Sequence, residues 1–276
     1  MKKSKKYPLL SCMLIFVICL GARFIEYFYI RTDETILSEN FIHKVFGILL
    51  LFVILRFCHL SWSDMGFQKE KVLKQMRMGF LLGTACFFIA YLIECLILYV
   101  TAGDVHLAFY VTGFSLGHGS KVQSGLIFVF LCIFFNLINV WMEEGLFRGF
   151  FPLILSEKSF RYGMMVSALL FGLWHLVMPL RDYLEGNSST ANLILMGMGY
   201  MILSAVMSIK WSLLYRLTGS LWMGFADHFF NNAIVTNLLH VVSMGEADSL
   251  QIVRIIIGQF VSFLLVLIYA RKHKAL

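Results

Sequence analysis

Charge is what this chain has least of. Lys, Arg, Asp and Glu make up 14% of its 276 residues, where a soluble domain carries about 25%. Hydrophobic residues reach 59% and the mean hydropathy is +0.80. That balance excludes an ordinary soluble domain and points to an integral membrane protein. Proline is nearly missing, and Pro8, Pro152 and Pro179 all fall near proposed helix ends. The six cysteines (Cys12, Cys19, Cys58, Cys86, Cys95 and Cys132) form no CxxC pair and lie in or beside apolar runs. They read as small buried hydrophobes, not as disulfides or metal ligands. No period of 20–50 residues recurs and no low-complexity segment is present, so neither a solenoid nor a biased linker is expected. The N-terminal "MKKSKKYPLLSCMLIFVICLGA" has a basic head and an apolar middle but no small-residue cleavage site. It reads as an uncleaved first span. The net charge of +7 raises the question of an acidic partner. Its lysines and arginines cluster at segment ends, where topology accounts for them, and no nucleic acid is called for.

What is present is a series of apolar runs. A spanning helix needs roughly 20 such residues. By that measure eight candidates lie near 8–30, 43–61, 79–101, 124–147, 163–180, 191–209, 219–242 and 252–270. The expectation is an all-α polytopic bundle of about eight transmembrane helices, one integral membrane domain over 1–276. The stretch "FQKEKVLKQMRMG" (67–79) alternates charge with Val72, Leu73, Met76 and Met78 and reads as a short amphipathic helix at the interface.

Orientation follows from the positive charges. With a cytosolic N-terminus, inner segments carry 16 lysines and arginines, Arg148 and Lys210 among them. The outer loops carry 5: Arg31, Lys44, Lys121, Arg181 and Arg254. The positive-inside rule then predicts both termini, 66–78, 150–162 and 271–276 on the cytosolic side. At about 1.5 Å per helical residue, Glu143 lies roughly 10 Å deep, His175 roughly 18 Å and His228 roughly 13 Å, with Asn232 one turn further. Three helices thus bring a carboxylate, two imidazoles and a carboxamide to one layer, with an opening expected toward the cytosol. Ionisable groups inside a membrane raise a functional hypothesis by default.

Spacing assigns partners. Side chains four apart share a helix face, as do Glu144 and Arg148, Phe171 and His175, and His228 and Asn232. Glu144 and Arg148 are expected to pair, leaving Glu143, about 100° around the helix, free for chemistry. Arg23 and Glu26, three apart, are expected to pair with each other. Asp227 and Asn231 adjoin the third motif off its face. The bland alternatives are a solvated helix end for the two glutamates and interhelical hydrogen bonds for the histidines and Asn232.

These three motifs, "EEGLFR" (143–148), "FGLWH" (171–175) and "HFFNN" (228–232), stand in order on the fourth, fifth and seventh proposed spans. The sequence resembles the CPBP family of intramembrane proteases, which includes eukaryotic CAAX prenyl endopeptidases and bacterial bacteriocin-processing or immunity proteins. The resemblance covers about 124–242, the expected catalytic core, and implies an endopeptidase acting on a small membrane-associated or hydrophobic peptide. It implies that Glu143 activates water with help from His175, and that His228 and Asn232 hold the oxyanion. Glu144, Arg148 and Phe171 would support them. Peptide hydrolysis does need a base beside a water and donors aimed at the developing charge. No cofactor is expected, with zinc on a Glu143, His175 and His228 set as the alternative, although no HExxH occurs. A non-proteolytic immunity or scaffold protein is the competing class. A transporter would show matching broken helices in an internal repeat, which are not evident. The expected partners are the lipid bilayer and a peptide or protein substrate. The expected location is a cell membrane, and the short chain with its lysine-rich start is compatible with a bacterial one.

Overall fold

Inside a bilayer a helix satisfies its backbone N–H and C=O groups within itself, and the computed structural model of the chain is built on that solution. It describes residues 7–112, 122–156 and 159–275. Lys2, Lys3, Lys5, Lys6, His118, Lys121 and Lys158 lie outside the described residues. The helices are α1 (Pro8–Ile25), α2 (Ile42–Cys58), α3 (Val72–Ala102), α4 (Leu126–Glu143), α5 (Phe151–Leu155), α6 (Phe160–Trp174), α7 (Val177–Leu184), α8 (Thr190–Thr218), α9 (Trp222–Phe229) and α10 (Gln251–Lys272). Wider π-helical turns occupy Glu26–Ile30, Glu144–Phe150 and Phe230–Leu238. Such turns gather at functional sites, and here two of the three begin inside a sequence motif.

The all-α architecture stands, but the count of eight does not carry over. Among the described residues six segments are long and apolar enough to cross a membrane: Pro8–Glu34, Lys69–Ala102, Leu126–Leu155, Phe160–Leu184, Thr190–Thr218 and Gln251–Lys272. α2 has 17 residues, and the seventh expected span divides into α9 and a π-helical stretch. Residues 239–242 are not helical. Leu239–Ser243 (β2) pairs antiparallel with His106–Phe109 (β1), Leu239 opposite Phe109, and with Glu246–Ala247 (β3). This small sheet caps one end of the bundle. Beside it, burial pushes the Asp248 carboxyl up, but a hydrogen bond from His240 and the charge of Arg254 hold it below the usual range.

The expected interfacial helix over 67–79 is also corrected. After one tight turn at Lys69–Lys71, residues from Val72 belong to a single helix of 31 residues. Its first turns are held by packing: a Cβ on Gly79 would stand 2.3 Å from the Met223 carbonyl oxygen, so only glycine lets α3 press this closely on α9. Gly172 does the same for α6 against α8, where a Cβ would lie 2.7 Å from the Met201 carbonyl oxygen.

The antiparallel run of helices creates two unlike ends. At one, the Leu221 N–H donates to the Gly66 carbonyl (3.0 Å), Trp222 Nε1 to that of Gln68 (3.0 Å) and Lys71 Nζ to that of Thr218 (3.1 Å). Lys69, Lys74, Arg77, Arg161, Arg216, Arg271 and Lys272 are exposed there. At the other, Arg181 bonds Asp33 (2.7 Å), Glu34 (2.8 Å) and Glu185 (2.9 Å), while Arg31 bonds Glu185 (2.6 Å). Two of the charges assigned to inner segments are not at an end at all. Arg148 and Lys210 are fully buried among helices.

Candidate active site

Between these ends lies a cavity of about 230 Å³ that collects all four expected catalytic side chains, Glu143, His175, His228 and Asn232. It runs from Glu143 toward the early turns of α2 (His43, Lys44), α8 (Met196) and α10 (Ile252), and to Thr236 beside the sheet. This is a correction to the expected depth. The helix of Glu143 continues through the π turn to Leu155, so Glu143 sits near the middle of the apolar segment Leu126–Leu155. The cavity extends away from the basic end, and an opening beside the exposed lysines of that end does not agree with it.

Glu143 is fixed at both oxygens. Trp174 Nε1 donates to Oε1 at 2.9 Å, and His228 Nε2 faces Oε2 at 3.4 Å. The other His228 nitrogen, Nδ1, meets Glu144 Oε1 at 2.8 Å. A histidine between two carboxylates can serve both only with a proton on each nitrogen, or with one on the glutamate that faces it. The ring lies flat on Trp211, centroids 4.0 Å apart and planes 16° apart. That stacking fixes its tilt.

The expected pairing of Glu144 with Arg148 is present, Nη2 to Oε1 at 3.1 Å. Glu144 does more than neutralise it, since the same oxygen holds His228. Arg148 carries its charge over the rings of Phe171 (3.9 Å) and Trp211 (4.5 Å), which explains the phenylalanine of the second motif. Phe171 also turns His175, because its backbone carbonyl takes the Nδ1 proton at 2.8 Å. A carbonyl only accepts, so His175 Nε2 keeps a lone pair.

Asn232 is oriented by a chain that sequence spacing gave no hint of. Lys210, buried on α8, donates to Asp227 and to Gln259 Oε1 (2.6 Å). Gln259 Nε2 donates to Asn231 Oδ1 (2.9 Å), and Asn231 Nδ2 to Asn232 Oδ1 (2.9 Å). An ammonium can only donate. It therefore sets the sense of each carboxamide in turn and leaves the Asn232 amide N–H as the terminal donor. Asp227, held also by Trp211 Nε1 at 2.7 Å, anchors the lysine.

Arg23 and Glu26 do not pair. Glu26 instead accepts from the Ile42 (2.9 Å) and His43 (2.6 Å) N–H groups, meets His43 Nδ1 and is bonded by Thr32. Arg23 turns to the cavity. As for zinc, among the described residues no three His, Cys, Asp or Glu side chains are placed to hold one ion. His228 also meets a carboxylate at each nitrogen.

Residues 125–234 match the family model described as type II CAAX prenyl endopeptidase Rce1-like, the CPBP family that the three motifs resemble. The matched segment contains every one of those motifs. No curated protein and no solved structure matches the chain. The matched segment is less than half of the chain, and what it shows is a likeness of that segment to an endopeptidase family.

Proposed function

From that family match, we propose that the chain is a glutamate-dependent endopeptidase that cuts a small hydrophobic or membrane-associated peptide, with Glu143 as general base. The observation that carries the proposal is the double fixing of Glu143 by Trp174 and His228, on the wall of a cavity that also holds His175 and Asn232. Each carboxylate oxygen retains a lone pair toward the cavity. A water between Glu143 and His175 Nε2 gives its proton to Glu143 as its oxygen attacks the peptide carbonyl. The charge that develops on the carbonyl oxygen is met by the Asn232 amide and by the positive charge of a doubly protonated His228, whose nitrogens stay on Glu143 and Glu144. The tetrahedral species then collapses, the C–N bond breaks, and Glu143 returns the proton to the leaving amine. Positioned base catalysis contributes roughly 10²–10⁴-fold and each oxyanion donor roughly 10²–10³-fold.

The test uses the full chain in nanodiscs and a mixture of apolar peptides, with new termini read by mass spectrometry. The unaltered protein should generate cleavage products, before and after exhaustive chelation. Glu143→Gln should lower the rate at least 10²-fold. A chain that only binds its partner would give no products in either form. Activity that vanishes with chelator and returns with stoichiometric zinc would replace the glutamate mechanism with a metal one.

A further inference from the structure

Arg23 is 4% exposed, sits in the last turn of α1 and lines the same cavity as Glu143. Its guanidinium lies 4.5 Å from the Trp174 ring centre and 5.0 Å from that of Tyr27. Its one hydrogen bond is from Nη2 to the Tyr27 hydroxyl at 3.3 Å, and Nε has no partner. Among the described residues no carboxylate stands within ion-pair distance of it. The other buried arginines differ: Arg148 has Glu144, and Arg254 has Glu94 and Asp248. Lys44, also on the cavity wall, is taken by Glu39. Glu143, across the same cavity, feels its charge but is not bonded to it; a cation held in an apolar interior without a bonded anion is costly, and such residues mark binding sites or pathways.

We propose that Arg23 is an anion subsite that receives a carboxylate of the peptide substrate. The inference rests on the peptide-hydrolase reading for the identity of the anion, because the anionic groups of a peptide are carboxylates. The planar fork of arginine matches that group at two oxygens. One indole relates the subsite to the chemistry: the face of Trp174 carries Arg23, and its N–H holds Glu143. A carboxylate on Arg23 therefore lies within a few residues of the cut bond. Tyr27 beside it, and Met178, Met196 and Tyr200 on the same cavity wall, suit apolar neighbours in the peptide.

Binding is measured by equilibrium dialysis on the full-length Glu143→Gln protein in nanodiscs of neutral lipid, so that cleavage does not intervene. The probes are N-acetyl-Leu-Leu-Phe as the free acid, the same peptide as its amide, and N-acetyl-Leu-Glu-Phe amide. The acid should bind about tenfold more tightly than its amide, the scale of a hydrogen bond to a charged group. Arg23→Met in the same background should erase that preference, and Arg23→Lys should keep part of it. If the glutamate-bearing amide binds like the acid, a side-chain carboxylate serves; if like the plain amide, the subsite takes the chain terminus. Equal binding of acid and amide, or binding of neither, overturns the subsite. The acid–amide comparison needs no change at Arg23, so misfolding of that variant leaves it decisive. It is also separable from the hydrolase reading, which falls if the unaltered protein cuts no peptide while the acid preference persists.

Discussion

Two adjacent glutamates have different duties because they have different neighbours. Glu143 faces the cavity between Trp174 and His228, whereas Glu144 is enclosed with Arg148 and the far side of His228. Glu144→Gln leaves a buried arginine uncompensated, which costs roughly 3–5 kcal/mol. Thermal unfolding should show that loss, and Glu144→Gln with Arg148→Met should recover most of it, because both charges then leave together. Glu143→Gln should unfold near the unaltered protein yet be inactive. A well-folded, inactive Glu144→Gln beside an active Glu143→Gln would reverse base and brace. These residues were legible in the sequence because a carboxylate or imidazole stands out in an apolar run. Trp174 and Trp211 were not, since a tryptophan there reads as packing. Arg23 was misread for a reason of distance: spacing finds partners within one turn, and the partner that claims Glu26 is His43, 17 residues on.

At the scale of elements, the donor at Asn232 depends on three helices. α8 supplies Lys210, α10 supplies Gln259, and the π turn after α9 supplies Asn231. Asn231→Asp and Gln259→Glu keep shape but exchange a donor for an acceptor, which reverses the sense of the chain. Each should lower kcat about 10²-fold, near the loss of one oxyanion donor, with KM little changed. Steady-state kinetics with kcat within threefold of the unaltered protein would reduce the chain to packing. The helices themselves were legible from long apolar runs. The end of the seventh was not, because Leu239–Ser243 is drawn into a strand by β1, more than a hundred residues earlier. Nor was the start of α3, where Gly79 against Met223 outweighs the charge pattern.

The whole molecule is electrically polar. Exposed lysines and arginines gather at one end, while Asp33, Glu34, Glu185, Glu246 and Asp248 mark the other. By the positive-inside rule the basic end is expected in the cytosol, and the cavity is then expected to approach the opposite face. In a cysteine-free background, Ser63→Cys should react with an impermeant maleimide only from the cytosolic side, and Thr236→Cys only from outside. The reverse pattern would mean that the mouth faces the cytosol and that charge does not set the orientation of this chain.

The wide turn at Glu144–Phe150 also has an arithmetic side. A π turn carries one residue more than regular pitch would need, and this one holds Glu144 and Arg148 and directly follows Glu143. Deleting Gly145 should return the turn toward regular pitch with α4 and α5 still in register: the protein inserts but cleaves nothing, and it melts earlier only by the loss expected from disturbing the Glu144–Arg148 pair. Deleting Ile133 from regular α4 turns everything before it by about 100° relative to its packing partners, and circular dichroism should show that protein unfolding early. A chain shortened by one residue thus loses its chemistry at one place and its fold at another.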